Sequence, residues 1–137
     1  MIVVDTGALV ALIDADDHHH RALREQFQSG DGQWVVPWAV LPEVDYLIAR
    51  HLGPELELAF LEDLAEGRYA VEWGDERDLA RARELCGRYA ALELGLVDGV
   101  VLAIAERLKA EAIATLDLRH FGAVELRVPV RLLPRDA

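Results

Sequence analysis

The segment IVVDTGALVALI, residues 2–13, sets the pattern of the whole chain. Residues 2–4 are three consecutive β-branched apolar residues, which is typical of a short strand buried on both faces of a parallel sheet. Residues 8–13 are also apolar but lack the alternation of a half-exposed strand, which predicts a helix over about residues 6–13. Asp5 therefore lies between a strand and a helix, the two elements from which α/β folds are built.

The rest of the chain repeats this alternation. Further short strands are predicted at residues 34–36, 69–73, 112–116 and 128–133. Helices are predicted over about residues 17–28, with a terminating turn at 29–32, and over 40–52, 56–66, 75–91 and 96–110. Short apolar strands that alternate with helices indicate a mainly parallel five-stranded sheet covered on both faces. A length of 137 residues and a hydrophobic content of 53% predict a single domain over residues 1–137.

Composition limits the partners and the location. The formal charge of −11 argues against binding nucleic acid through a general positive field, so any such contact must be local. The single cysteine, Cys86, excludes an intramolecular disulfide and fits a reducing setting. No apolar run approaches the roughly 18 residues of a membrane span, and residues 1–15 lack the basic start of a secretory signal. We therefore expect a soluble cytoplasmic protein.

Four acidic residues stand beside the ends of apolar segments: Asp5, Glu43, Asp98 and Asp117. Open parallel sheets bind ligands at the carboxyl ends of their strands, so we expect these acids to share one edge. Each acid also has a structural interpretation. Asp5 and Asp98 are possible helix caps, Asp117 a turn residue, and Glu43 an acid favoured by a helix dipole.

Carboxylates gathered within a few ångströms repel one another, and divalent cations reverse that interaction. Oxygen ligands without histidine or cysteine favour Mg²⁺ or Mn²⁺ over Zn²⁺. One or two such ions polarise phosphoryl oxygens and orient an attacking water. The four acids therefore predict metal-dependent hydrolysis of a nucleic-acid backbone.

Four motifs carry a family resemblance: VVDTGALVAL at residues 3–12, PEV at 42–44, LVDG at 96–99 and ATLDLRHF at 114–121. In this order they resemble the acidic motifs of PIN-domain ribonucleases, and they cover essentially the whole chain. The size, with no appended domain, is similar to that of the VapC toxins of type II toxin–antitoxin systems.

The resemblance implies a three-layer α/β/α sandwich and an Mg²⁺- or Mn²⁺-dependent endoribonuclease that cleaves RNA. It also implies inhibition by a cognate, VapB-like antitoxin, and a homodimer. By motif position, Asp5, Glu43, Asp98 and Asp117 are the catalytic residues and the metal ligands. Part of an apolar surface is a candidate groove for an amphipathic antitoxin segment. That surface comprises Tyr46, Leu47, Ile48, Leu56, Phe60, Leu61 and Leu64.

Two threonines are expected to support the acids, Thr115 before the fourth acid and Thr6 beside the first. The chain departs from the family at Gly7, where serine is common, and at Gly99, where alanine is common. The missing hydroxyl at Gly7 is expected to weaken support for Asp5.

Arg119 and His120 directly follow the fourth acid, where a cation could contact an RNA phosphate or form an ion pair with the local acids. The histidines at 18–20 suggest a transition-metal site, but consecutive helical residues point about 100° apart and do not converge on one ion. His20 is expected to border the substrate groove. Asp45 is expected to face away from Glu43.

Three alternatives remain open at this stage. A receiver-like phosphoacceptor module needs a lysine near the end of a late strand, whereas Lys109, the single lysine, falls in a helix. A phosphatase with an aspartate nucleophile needs a second acid two positions after Asp5, where Gly7 stands. The third is a PIN fold that has lost catalysis, against which the four retained acids argue.

Overall fold

All five strands form one parallel sheet in the computed structural model, which describes residues 1–30 and 32–137. The sheet order is β3-β2-β1-β4-β5, and every neighbouring pair is parallel. The strands are β1 (Ile2–Val4), β2 (Trp34–Pro37), β3 (Ala70–Glu72), β4 (Ala112–Ala114) and β5 (Arg131–Leu133). The prediction of an α/β fold with a five-stranded sheet is confirmed.

Seven α-helices connect and cover the strands in the described residues. They are α1 (Thr6–Ile13), α2 (His20–Gln28), α3 (Leu41–His51), α4 (Pro54–Ala65), α5 (Glu76–Arg88), α6 (Gly95–Arg107) and α7 (Leu118–Phe121). Helix α3 contacts both α1 and α4, and α5 packs against α6. Crossovers between parallel strands are almost always right-handed, so this strand order puts α1 to α4 on one face of the sheet and α5 and α6 on the other, which gives the three layers. Within the described chain, no helix combines the length and apolarity needed to cross a membrane.

The core lies where α6 crosses the central strands. Every residue of β1 and β4 is buried, and so is the segment 99–105 of α6, in agreement with its predicted deep position. A Cβ at Gly99 would meet the Cβ of Ala82 at 3.0 Å and the Sγ of Cys86 at 3.1 Å. The glycine therefore allows α5 and α6 to pack closely, which gives a reason for this departure from the family's alanine.

Several element boundaries differ from the predictions. The first long loop ends at α2, which begins at His20 rather than near Asp17, because the Asp17 side chain caps a tight turn by accepting the His19 N–H at 2.8 Å. β5 begins at Arg131 rather than Val128, and Pro129 between them has no N–H for a ladder. The predicted turn at 29–32 contains Asp31, which lies outside the described residues.

Candidate active site

Two neighbouring strands deliver polar residues to the carboxyl edge of the sheet. Asp5 directly follows β1, and Thr115 and Asp117 follow β4. The chain builds β1, β2 and β3 toward one side and then places β4 on the other side of β1. The strand order therefore reverses between β1 and β4, which is where open parallel sheets bind ligands.

Two helices bring further acids to this edge. Glu43 lies in the first turn of α3, where Pro42 occupies a position that needs no backbone N–H. Asp98 lies in the first turn of α6, which begins at Gly95 with a φ of 78°. A cavity of about 520 Å³, here called the acidic cleft, is lined by Asp5, Thr6, Gly7, Glu43, Leu47, Asp98, Leu116 and Asp117. All four predicted acids therefore line one cavity.

Thr115 connects the acids that follow the two strands. Its hydroxyl donates to Oδ2 of Asp5 at 3.0 Å and accepts the backbone N–H of Asp117 at 3.0 Å. The Thr115 side chain is fully buried, so water does not compete for these bonds. Thr6 is also buried, and its hydroxyl has no hydrogen-bond partner among the described residues.

His120 lies between two of the acids. Its Nδ1 is 2.9 Å from Oδ2 of Asp98 and 3.0 Å from Oδ2 of Asp117. The other Asp117 oxygen accepts the backbone N–H of His120 at 3.1 Å. The sequence analysis left two partners open for His120, an RNA phosphate or the local acids. In the structure His120 lies against the acids. Its contact with RNA stays a prediction.

The electrostatics of the cleft reflect its crowded carboxylates. Burial raises the pKa of Asp5 to about 6, and the nearby charges of Asp98 and Glu43 act in the same direction. Burial also raises the pKa of Asp98, to which the charges of Asp117 and Glu43 add, while the hydrogen bond from His120 opposes the change. These carboxyl groups therefore resist ionisation when no cation is present.

The capping interpretations have different outcomes. Asp5 occupies the N-cap position of α1, but its side chain makes no capping hydrogen bond. Asp98 lies inside α6 rather than before it, so it is not a cap. Asp117 does cap α7 through its bond from His120. For Asp5 and Asp98, capping does not account for the residue.

The donor groups of the cleft fit a divalent cation. Asp98, Asp117 and His120 each offer a ligand atom, and the three atoms lie within 4.8 Å of one another. Asp5 and Glu43 line the same cleft outside this tight group. The sequence interpretation did not include His120 among the candidate ligands, although its spacing of three residues from Asp117 was an available signal.

Other predicted residues lie elsewhere. Arg119 is exposed and does not line the cleft, and Asp45 is also outside it. Nδ1 of His20 lies 2.8 Å from the carbonyl oxygen of Ala11, so this ring links α2 to α1. Within the described residues, the histidines at 18–20 form no group of potential metal ligands.

Solved structures share the fold. The VapC20 toxin of Mycobacterium tuberculosis, described as cleaving the sarcin-ricin loop, matches with a TM-score of 0.78 and 22% identity over 94% of this chain and 100% of that chain. A DNA-bound VapBC from Salmonella typhimurium matches with a TM-score of 0.68 and 22% identity over 96% of this chain and 95% of that one.

Sequence comparison identifies the family. The PIN-domain family model matches residues 2–125. Ribonuclease VapC26 of Mycobacterium tuberculosis is 33% identical over 123 residues, which cover 90% of this chain and 91% of that protein. The resemblance carried by the four acidic motifs is thereby confirmed, and the chain belongs to the PIN-domain family of nucleases.

Proposed function

We propose that this chain is an endoribonuclease that hydrolyses RNA with a bound Mg²⁺ or Mn²⁺ ion and acts as the toxin of a type II toxin–antitoxin pair. The observation that carries the proposal is the acidic cleft at the reversal of strand order, where Asp5, Glu43, Asp98 and Asp117 line one cavity. The similarity to ribonuclease VapC26 supports RNA as the substrate. The whole of residues 1–137 is proposed to act as one domain.

Each residue of the cleft has a proposed role. Asp98 and Asp117 hold the cation, with Asp5 and Glu43 completing the negative cleft. The chemistry that such a cation supplies when bound is neutralisation of charge at the phosphoryl oxygens and activation of a water molecule. Thr115 orients Asp5 through its 3.0 Å hydrogen bond.

His120 has a separate proposed role. Its imidazole holds the side chains of Asp98 and Asp117 at a fixed separation, because one nitrogen lies near an oxygen of each. Thr6 is proposed to support a ligand of the cleft, because its buried hydroxyl has no hydrogen-bond partner among the described residues.

Recognition of RNA is proposed to be local. The chain carries a formal charge of −11, so bulk RNA is expected to bind weakly and specificity to arise around the cleft. Arg119, exposed and two residues after Asp117, is the proposed contact for a phosphate. We propose that the chain acts in the cytoplasm, where an RNA substrate would be met.

The antitoxin is proposed to bind an apolar surface on α3 and α4. Tyr46, Leu56, Leu58 and Leu61 are exposed there. Exposed apolar side chains grouped on neighbouring helices are typical of interaction sites. The fold shared with the VapBC structure fits a partner of this kind. A homodimer is proposed from the family resemblance.

The first experiment expresses wild type and Asp98→Asn without antitoxin and maps new RNA 5′ ends across all transcripts. Asp16→Asn is the matched control, because Asp16 is an exposed aspartate outside the cleft. We expect discrete new ends with wild type and the control, and none with Asp98→Asn. Folded wild type that produces no new ends would refute the nuclease and favour a binding module or an inactive PIN fold.

A further inference from the structure

A second, smaller cavity opens beside the acidic cleft. Its volume is about 190 Å³, and its lining consists of His19, Thr115, Leu116, Leu118, Pro134 and Arg135. Leu116 lines both cavities, and Thr115 is hydrogen-bonded to Asp5 of the acidic cleft. The two cavities are therefore neighbours at the same edge of the sheet, on the side of β4 and β5.

The size of this cavity limits its occupant. A volume of 190 Å³ corresponds to about six water molecules at roughly 30 Å³ each. Pockets for drug-sized ligands are larger, about 300 Å³ or more. The cavity therefore suits one flat heterocycle better than a larger ligand or a segment of peptide.

The lining has the chemistry that nucleobases bind. Leu116, Leu118 and Pro134 supply apolar surface, and His19 and Arg135 supply planar groups. Bases that are not in a duplex stack on histidine rings and on arginine guanidinium planes. An apolar wall with planar groups at its rim is therefore suited to the face of a base.

The charge of the Arg135 guanidinium is already balanced. Its Nε and Nη2 lie 2.7 Å and 2.9 Å from the two carboxylate oxygens of Asp136. The bidentate pair fixes the guanidinium plane and reduces its attraction for a phosphate. The ring of His19 lies edge-on to the ring of His18, with centroids 5.1 Å apart. The guanidinium plane of Arg135 is therefore oriented before any ligand binds.

We propose that this cavity receives the base of one nucleotide that flanks the scissile phosphate, and so sets the sequence preference of cleavage at that position. The inference rests on the proposed ribonuclease function, because it assumes that the acidic cleft holds the phosphate. The two cavities share Leu116, so a nucleotide whose phosphate lies in the acidic cleft can place its base in the smaller cavity.

The test uses the RNA sequence found by mapping cleavage ends, as a short single-stranded oligonucleotide. Cleavage kinetics are measured for His19→Ala and Arg135→Ala, with His51→Ala and Arg83→Ala as matched exposed controls that do not line the cavity. We expect KM to rise about fivefold to tenfold in the first pair, since this is the lower range for loss of one stacked base, with a smaller change in kcat. The controls should match wild type.

A second substrate makes the test independent of protein folding. An oligonucleotide that lacks the base at one nucleotide flanking the cut should raise the KM of wild type by a similar factor. The same oligonucleotide should cause little further increase with Arg135→Ala, because the lost contact is the same. If the missing base and Arg135→Ala raise KM by independent factors that multiply, the base site is overturned. Kinetics unchanged in both variants would overturn it too. In either case the proposed ribonuclease function would stand. Wild type without any RNA cleavage would overturn both proposals.

Discussion

Carboxylates near the two ends of α6 have opposite surroundings. In the first turn, Asp98 shares the acidic cleft with other carboxylates, and burial together with their charges raises its pKa. In the last turn, Glu106 is buried too, which alone would raise its pKa. Hydrogen bonds from Arg81, at 2.8 Å and 3.1 Å, and from the Arg127 backbone N–H lower that pKa below its ordinary value.

The difference shows which carboxylates the fold compensates by itself. Near the end of α6, Arg107 also binds the buried Asp78 through two hydrogen bonds of 2.7 Å and 3.0 Å. The arginine network therefore supplies positive charge from within the chain. The acidic cleft has four acids and, among the described residues that line it, no arginine or lysine. His120 offsets part of the charge of Asp98 and Asp117, and we expect a bound ligand to supply the rest.

The largest predicted effect is the loss of stability when the arginine partner of Glu106 is removed. Arg81→Ala leaves Glu106 buried without its bidentate partner, and removal of one member of a buried pair costs about 3–5 kcal/mol. Urea unfolding should show this loss. Arg77→Ala, at an exposed arginine on the same helix, is the control and should unfold almost as wild type does. If both variants lose the same stability, the network is not the cause.

At the acidic cleft, by contrast, Asp5→Asn should raise the free energy of unfolding. The displacement of the Asp5 pKa from 3.8 to about 6 corresponds to about 3 kcal/mol of lost stability once the carboxyl is ionised. In EDTA at pH 8, the amide variant should therefore be more stable than wild type by up to about this amount. A less stable variant under these conditions would contradict the unfavourable carboxylate.

The pH dependence follows from the same shift. The unfolded chain ionises Asp5 near pH 4 and the folded chain near pH 6, so the folded state binds more protons between these values. Wild type in EDTA should therefore lose stability, relative to Asp5→Asn, as the pH rises through this window. Below pH 4 the two proteins should converge in free energy of unfolding.

A divalent cation should supply the positive charge that the acidic cleft lacks and so stabilise the folded protein. Binding to the folded state alone stabilises it by about 2.7 kcal/mol at a free concentration of 100 times Kd. Mg²⁺ or Mn²⁺ should therefore raise the Tm of wild type, and Asp98→Asn should reduce the increase. The Arg77→Ala control should retain it. A Tm of wild type that is independent of both ions would count against the metal site.

The sequence predicted the fold and the membership of the cleft because both depend on local patterns. Consecutive apolar residues defined β1 and β4, and Asp5 and Asp117 follow them directly. Parallel pairing then places both acids at one edge without any knowledge of side-chain contacts. The type of each element was therefore easier to predict than the details of its ends.

The parts that the sequence missed depend on contacts between distant residues. The pairing of Arg81 with Glu106 spans 25 positions, and nothing in either local pattern indicates it. The position of His120 against Asp98 depends on how α6 and α7 pack. The boundary of α2 was missed because Asp17 caps a turn with the same side-chain chemistry that caps a helix.

The smallest predicted effect tests the internal support of the cleft. Thr115→Val keeps the shape of the buried side chain but removes its bond to Asp5 and leaves the Asp117 N–H without a partner. This should cost about 1–2 kcal/mol of stability. Because the Thr115 hydroxyl lowers the pKa of Asp5, the variant should also shift the loss of stability in EDTA to higher pH.

The same change should weaken cation binding by about 10-fold to 100-fold, the usual cost of losing a group that orients a ligand. Thr115→Ser is the matched control, because it keeps the hydroxyl and removes a methyl group that makes neither bond. Calorimetric titration with Mn²⁺ separates the two variants. Equal affinities for valine and serine would mean that packing, rather than the hydroxyl, positions Asp5. If Thr115→Val binds Mn²⁺ more weakly than Thr115→Ser, the Thr115 hydroxyl positions Asp5. Thr115 would then act on Asp5 as Arg81 acts on Glu106, because each is a group within the chain that sets how a buried carboxylate ionises.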